Sequence, residues 1–216
     1  MSGDAKRFFD AIAGRYERAY APSAAESRER MARVLRGLPP APAGLLDLGV
    51  GTGRELTSLL DAGYEVTGVD VSPAMLERCA RRARPIALVE TDFWAPLPFG
   101  DRSFDAGVAL HGTLAHPPDD GALPALAREL RRLLRPGGVF VVEVPSPAWL
   151  DSVAADGPVV RTGPTTGIHR DTATGAAIAT RLLSADEWTA AFGPAWSTRV
   201  EAVGPGEWLV VARVAS

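Results

Sequence analysis

Residue types that most often announce chemistry are scarce in this chain of 216 residues, which has one cysteine, one lysine and three histidines. The lone thiol, Cys79, excludes an internal disulfide and is expected to be a small buried thiol on a helix, suited to a reducing, cytoplasmic compartment. The lone lysine, Lys6, excludes a P-loop, whose phosphate cradle ends in Gly-Lys-Ser or Gly-Lys-Thr. His111, His116 and His169 form no His-x-His or His-x-x-x-His pair and no cysteine lies near them, so no metal site is expected. No stretch approaches the ~18 continuous apolar residues of a membrane helix. The N-terminus is charged every few residues and lacks the apolar core of a signal peptide. A net charge of −3 and a pI near 5.7 offer no overall field for nucleic acid or anionic membrane.

What is present reads as one α/β domain. Hydrophobic residues make up 46% and charged residues 23%, ordinary for a globular protein. Apolar positions at Phe8, Phe9, Ile12 and Tyr16 predict a helical face over 4–20. Ser23 and Glu26 form a capping box that opens a second helix to about Leu38, where prolines stop it. Apolar runs at 45–48, 65–69, 86–89, 104–110 and 139–144 alternate with helical stretches at 54–62, 72–84 and 119–135. The runs are bounded rather than alternating, as expected of strands covered on both faces. The pattern predicts a doubly wound, Rossmann-like sheet of seven strands with helices on both faces. It is mostly parallel, and the final strands, 197–203 and 207–214, form an antiparallel pair about Gly204-Pro205-Gly206. Residues 1–40 read as an N-terminal helical lid. Residues 158–183 read as an extended insertion with a hairpin turn at Thr174-Gly175.

The loop LLDLGVGTGRE, 45–55, carries an apolar strand through three alternating glycines into a helix. Glycines let a ligand approach main chain, and the next helix offers free N–H groups. A dinucleotide fingerprint would need glycine where Arg54 or Leu56 stands. Asp47, at the loop entrance, suits a ligand with an amino group and disfavours a diphosphate, which favours S-adenosylmethionine (SAM) over NAD. Asp70 closes the neighbouring strand, where a carboxylate can accept hydrogen bonds from ribose hydroxyls. Asp92-Phe93, after the third strand, can bond an exocyclic amine and cover a ring.

These motifs, with VTGVDVSPAML at 66–76, VETDFWAPLPFGDRSFDAGVAL at 89–110 and LRRLLRPGGVFVVEVP at 130–145, make the chain resemble class I SAM-dependent methyltransferases. The resemblance covers roughly residues 8–145. It implies that the backbone of Gly49, Gly51 and Gly53 holds the methionine part of SAM and that Asp70 binds the ribose. It implies that Val71 and Met75 pack on the adenine, with Asp92 and Phe93 at its amine and ring. Asp47 and Leu110, at the ends of the first and fourth strands, join that wall. FFDAIAGRYERAY resembles the closing N-terminal helix of small family members, with Tyr16 as lid residue and Tyr20 toward the substrate. Val50 departs from the family's usual small residue, at a position where backbone does the binding.

Methyl transfer from SAM needs alignment first and a base only for a nucleophile that must lose a proton. His111 and His116 follow the fourth strand, where the donor methyl lies in this fold, and are expected to line the acceptor site. His169 lies in the insertion that could cover the cleft. Trp94 and Trp149 lie nearer the cleft, whereas Trp188, Trp196 and Trp208 are expected in the core. The expectation is methylation of a small-molecule acceptor. A SAM-binding sensor or scaffold without catalysis, and a methyltransferase acting on a macromolecule, are the alternatives. No basic stripe and no Asn/Asp-Pro-Pro-Tyr/Phe motif favours a DNA target.

Overall fold

The computed structural model describes residues 2–215 apart from 21, 83, 154–156 and 205. The chain opens with helices α1 (Ser2–Ile12), α2 (Tyr16–Tyr20) and α3 (Ala24–Gly37). The predicted helix over 4–20 breaks in two because Gly14 interrupts it, and the chain turns over 13–15. Ser23 caps α3 as expected: its Oγ accepts from Glu26 N, and Glu26 accepts from Ser23 N.

Strand–helix alternation follows with β1 (Gly44–Leu48), α4 (Leu56–Asp61), β2 (Glu65–Asp70), α5 (Pro73–Arg82), β3 (Ala87–Glu90), β4 (Phe104–Ala109), α6 (Ala122–Leu133) and β5 (Leu134–Pro145). The last third holds α7 (Trp149–Ser152), β6 (Val159–Arg161), β7 (Thr166–Arg170), β8 (Ala177–Arg181), α8 (Ala185–Phe192), β9 (Trp196–Gly204) and β10 (Glu207–Val214). A second capping box, Ser184 with Glu187, starts α8. Pro205, in the expected tight link before β10, and part of the stretch expected to be helical at 147–155 lie outside the described residues. Strand β5 starts earlier than expected because Leu134 pairs with Phe104, with a register shift before Ala106.

The main sheet has seven strands in the order β3-β2-β1-β4-β5-β10-β9. The first five run parallel, and β10 is antiparallel to both β5 and β9. Successive residues of β5 explain its unbroken apolar run. Val139 and Val141 pack with Val34 of α3 and Leu59 of α4, while Phe140 and Val142 pack with Leu130 of α6 and Trp188 of α8. Trp188 and Trp196 are buried as expected, and Trp208 is partly buried.

Between β1 and β4 the strand order reverses, and such a switch point opens a crevice at the strands' C-terminal ends. Two layers roof it. One is α1–α2. The other is the antiparallel meander β6-β7-β8, whose register runs Thr166 with Arg181 to Arg170 with Ala177. Phe8 and Ile12 of α1 bury themselves between Met75 of α5 and Ile178 of β8. Among the described residues no helix is long and apolar enough to cross a membrane.

Candidate active site

Beneath this roof lies a cavity of about 390 Å³, within the size range of small-molecule sites. A side cavity of about 40 Å³ adjoins it under the glycine loop.

The three loop glycines have separate duties, although all take positive φ, at 67°, 54° and 73° for Gly49, Gly51 and Gly53. A Cβ on Gly49 would lie 2.5 Å from Thr113 Cγ2, and one on Gly53 would lie 2.8 Å from Cys79 Sγ. Those two glycines permit packing. Gly51 lines the main cavity, and a Cβ there would meet only Gly49 O at 3.8 Å. Any side chain at 51 would take up ligand space. Burial pushes the Cys79 thiol up to about 11, so it stays protonated.

Asp70 joins the loop to this cavity. Its Oδ2 accepts from Gly51 N at 2.9 Å and its Oδ1 from Ser72 N at 2.9 Å. Burial raises its carboxyl to about 6, against the pull of those N–H donors. Val71, Met75, Asp92 and Phe93 line the same side, together with Tyr16 and Gly49. Asp92 Oδ1 accepts from Trp94 N at 3.0 Å, which shapes the turn carrying Phe93 and Trp94. Asp47 and Leu110 line the side cavity rather than the main one, and Gly53 lines neither. Burial, with Asp70 and Glu55 adding repulsion, raises the Asp47 carboxyl to about 8.

The N-terminal helices are tied down at two points. Glu17 of α2 accepts from Thr52 Oγ1 at 2.5 Å and pairs with Arg54 and Arg82. Burial opposes its ionisation, but these donors win and hold its carboxyl down at about 2. The Arg54 guanidinium also sits 5.0 Å over the Tyr16 ring. At the far side, Arg15 Nη1 donates to Asp171 Oδ1 at 2.6 Å, and Tyr20 Oη donates to Asp171 Oδ2 at 3.2 Å. Burial and the Asp171 charge push the Tyr20 phenol up to about 12.

All three histidines reach the main cavity. His116 Nδ1 donates to Ala179 O at 2.8 Å, and burial lowers its imidazole to about 4 despite that acceptor. His169 packs against Phe8 and Tyr20 with ring centroids at 5.2 and 5.5 Å, and its Nε2 is enclosed without a partner. His111 has a left-handed backbone, φ 54°. Its N–H donates to Glu143 Oε2 at 2.9 Å, and its Nε2 lies 2.9 Å from Glu55 Oε1. Glu143 in turn accepts from Arg30 Nε at 2.5 Å.

Arg30, Glu55, Glu143 and Phe9 were not singled out in the sequence. Glu143 could have been, as the one acid inside the apolar run of β5. Glu55 directly follows the glycine loop but reads as an ordinary helix start. Nothing local marks Arg30 or Phe9, which α3 and α1 bring to the cavity. Among the described residues no cluster of three or more His, Cys, Asp or Glu could hold a metal ion.

Residues 45–138 match a family model described as a methyltransferase domain. Malonyl-[acyl-carrier protein] O-methyltransferase of Halorhodospira halophila is 36% identical over 176 residues, covering 76% of this chain and 55% of that protein. Demethylmenaquinone methyltransferase of Thermus thermophilus is 38% identical over 130 residues, covering 57% of each. The chain thus spans about half the length of the curated relatives it matches. In fold, the CcbJ methyltransferase of Streptomyces caelestis superposes with a TM-score of 0.77 at 23% identity, over 99% of this chain and 100% of that one. SAM-bound CalS10, an amino pentose methyltransferase of Micromonospora echinaspora, gives 0.70 at 24% identity, over 93% and 96%. Residues 45–138 of this chain therefore match a methyltransferase domain, and the chain has the fold of the solved methyltransferases on which it superposes.

Proposed function

We propose that the chain binds SAM in the main cavity and transfers its methyl group to a small-molecule acceptor. The observation that carries this reading is a single cavity bearing both halves of such a site. Gly51 and the buried Asp70 lie on one side, and aromatic rings with three histidines lie on the other. The residues present fit SAM. Gly51 leaves room that any Cβ would fill, and Asp70 keeps acceptor capacity beyond its two backbone donors.

When bound, SAM supplies a methyl carbon already activated by its sulfonium sulfur. The chain's own work is to place, enclose and dry the reactants. Asp70 accepts the ribose hydroxyls; Val71, Met75 and Phe93 enclose the adenine, and Asp92 accepts from its amine. In this reading, residues 1–40 are the lid of a single domain, and residues 158–183 are an insertion that roofs the acceptor side. Tyr20, His116 and His169 then face the acceptor. A small acceptor is favoured because lid and meander together roof the crevice.

The test is incubation of the protein with SAM and a broad panel of small acceptors, monitored for S-adenosylhomocysteine. Formation that depends on the acceptor supports the reading. Tight SAM binding with no product across the panel supports a sensor instead.

A further inference from the structure

We propose that His111 is the general base of this transfer, that Glu55 is its positioning residue, and that the acceptor is a hydroxyl compound. The proposal rests on the SAM-binding reading above and deepens it at the acceptor side.

The three histidines of the cavity are not equivalent. His169 has an enclosed Nε2, shut between Phe8 and Tyr20. His116 gives its Nδ1 proton to a backbone carbonyl and resists a second proton in its buried setting. Such a ring can accept a hydrogen bond from the acceptor but holds an abstracted proton poorly. His111 differs in having a carboxylate on its ring. Glu55 Oε1 accepts from Nε2 at 2.9 Å, which fixes the ring proton there and leaves the lone pair on Nδ1. A buried acid in that place also compensates the charge that arises when Nδ1 takes a proton.

The backbone is committed to the same end. His111 takes a left-handed conformation, uncommon outside glycine although histidine, asparagine and aspartate visit it more readily than other residues. Glu143 holds it there by accepting from the His111 N–H, and Arg30 anchors Glu143. An uncommon backbone conformation at a cavity wall, held by a dedicated brace, is the pattern of a working residue. The charged and titratable groups around the His111 ring are Glu55 and Arg54 beside α4, Glu143 of β5, Arg30 of α3, Tyr16 of α2 and Asp47 of β1.

The same lining bears on the acceptor's chemistry. Each carboxylate of the main cavity already has a partner among the described residues. Asp70 and Asp92 accept from backbone N–H groups, and Glu143 and Glu207 face Arg30. Arg54 is paired with Glu17. Arg30 Nη1 and Arg54 Nη2, on two residues of this lining, are enclosed without a hydrogen-bond partner, so donors remain for the oxygen atoms of an acceptor. A neutral hydroxyl keeps its proton at pH 7, and that proton must leave. As the acceptor oxygen bonds the donated methyl carbon, the old C–S pair stays on sulfur and the O–H proton passes to His111 Nδ1. Glu55, which accepts from Nε2, faces the imidazolium that forms.

The experiment uses the full chain, its His111→Asn variant and its Glu55→Gln variant; asparagine tolerates the left-handed backbone. SAM affinity is measured by calorimetry. Transfer of labelled methyl is measured from pH 5 to 9 with a panel of small phenols and alcohols. Nitrogen NMR of the histidine rings, without ligand, locates the His111 proton. The expected result is hydroxyl methylation by the wild type and a kcat about 100-fold lower in His111→Asn, with loss of the acid limb of the pH profile. SAM affinity stays within about threefold, as expected for a group that works on the acceptor. The ring proton lies on Nε2 in the wild type and loses that fixed position in Glu55→Gln, which also lowers kcat more than it raises the acceptor KM. A chain that binds SAM yet methylates only amines, or no hydroxyl, overturns the proposal. So does wild-type kcat in His111→Asn, or a ring proton on Nδ1. A chain that does not bind SAM overturns the broader reading, and this proposal with it.

Discussion

The two sides of the cavity are built in different ways. The side toward β1 and β2 is made of one short loop and the ends of adjacent strands, so its residues are close in sequence. Gly49, Gly51, Asp70, Val71 and Met75 all fall within 27 consecutive positions, 49–75. The other side draws Phe9 from α1, Arg30 from α3, His111 and His116 from the turn after β4, Trp149 from α7 and His169 from β7. The first side can be changed only at the cost of the turn that forms it. The second is a set of separate side chains on elements that could vary one at a time.

Substitutions can break that comparison, the largest effect coming from the loop. Gly51→Val would place a branched side chain in ligand space at a backbone angle that disfavours it. SAM affinity should fall by about 100-fold or more, roughly 3 kcal/mol. Equal affinity in a calorimetric titration would mean that the ligand does not lie against the loop.

A smaller effect is expected at the Arg15–Asp171 pair. Arg15→Ala leaves the buried Asp171 without its cation, and Arg15 is 29% exposed in side chain, so the loss is about 1–2 kcal/mol. Amides of α1 and α2 should then exchange faster with solvent, while those of β1 and β4 stay unchanged. Uniform acceleration through the sheet would mean that the pair supports the whole fold.

The smallest effect is a pH signature. The folded imidazole of His116 is lowered to about 4 from 6.5, so the unfolded chain binds the extra proton first as pH falls. Its contribution to stability is present above pH 6.5 and is lost between 6.5 and about 4. The difference in Tm between the wild type and His116→Phe should therefore shift against the wild type as pH drops through that window. A difference that stays constant would place His116 outside the buried setting described here.

How much of this was legible in the sequence follows the same division. The sheet, both capping boxes and the antiparallel final pair follow from periodicity and turn residues, which are local signals. Asp70 was legible because strand adjacency places it beside the glycine loop. Asp47 and Gly53 were legible as loop residues, but their positions off the main cavity depend on how Thr113, Cys79 and Glu55 pack around them. The break at Gly14 was missed because apolar spacing continues across it, and tertiary contact with Asp171 fixes the turn. Arg30 and Glu143 lie 113 residues apart, and no local pattern joins them.

The central claim is that this cavity holds SAM against Asp70 and the glycine loop. The most direct test is calorimetric titration of SAM into the wild type and Asp70→Ala. One SAM should bind per chain, and the variant should bind at least tenfold more weakly, about 1.4 kcal/mol. Unchanged affinity in Asp70→Ala would contradict the ribose assignment, and no binding to the wild type would contradict the account as a whole.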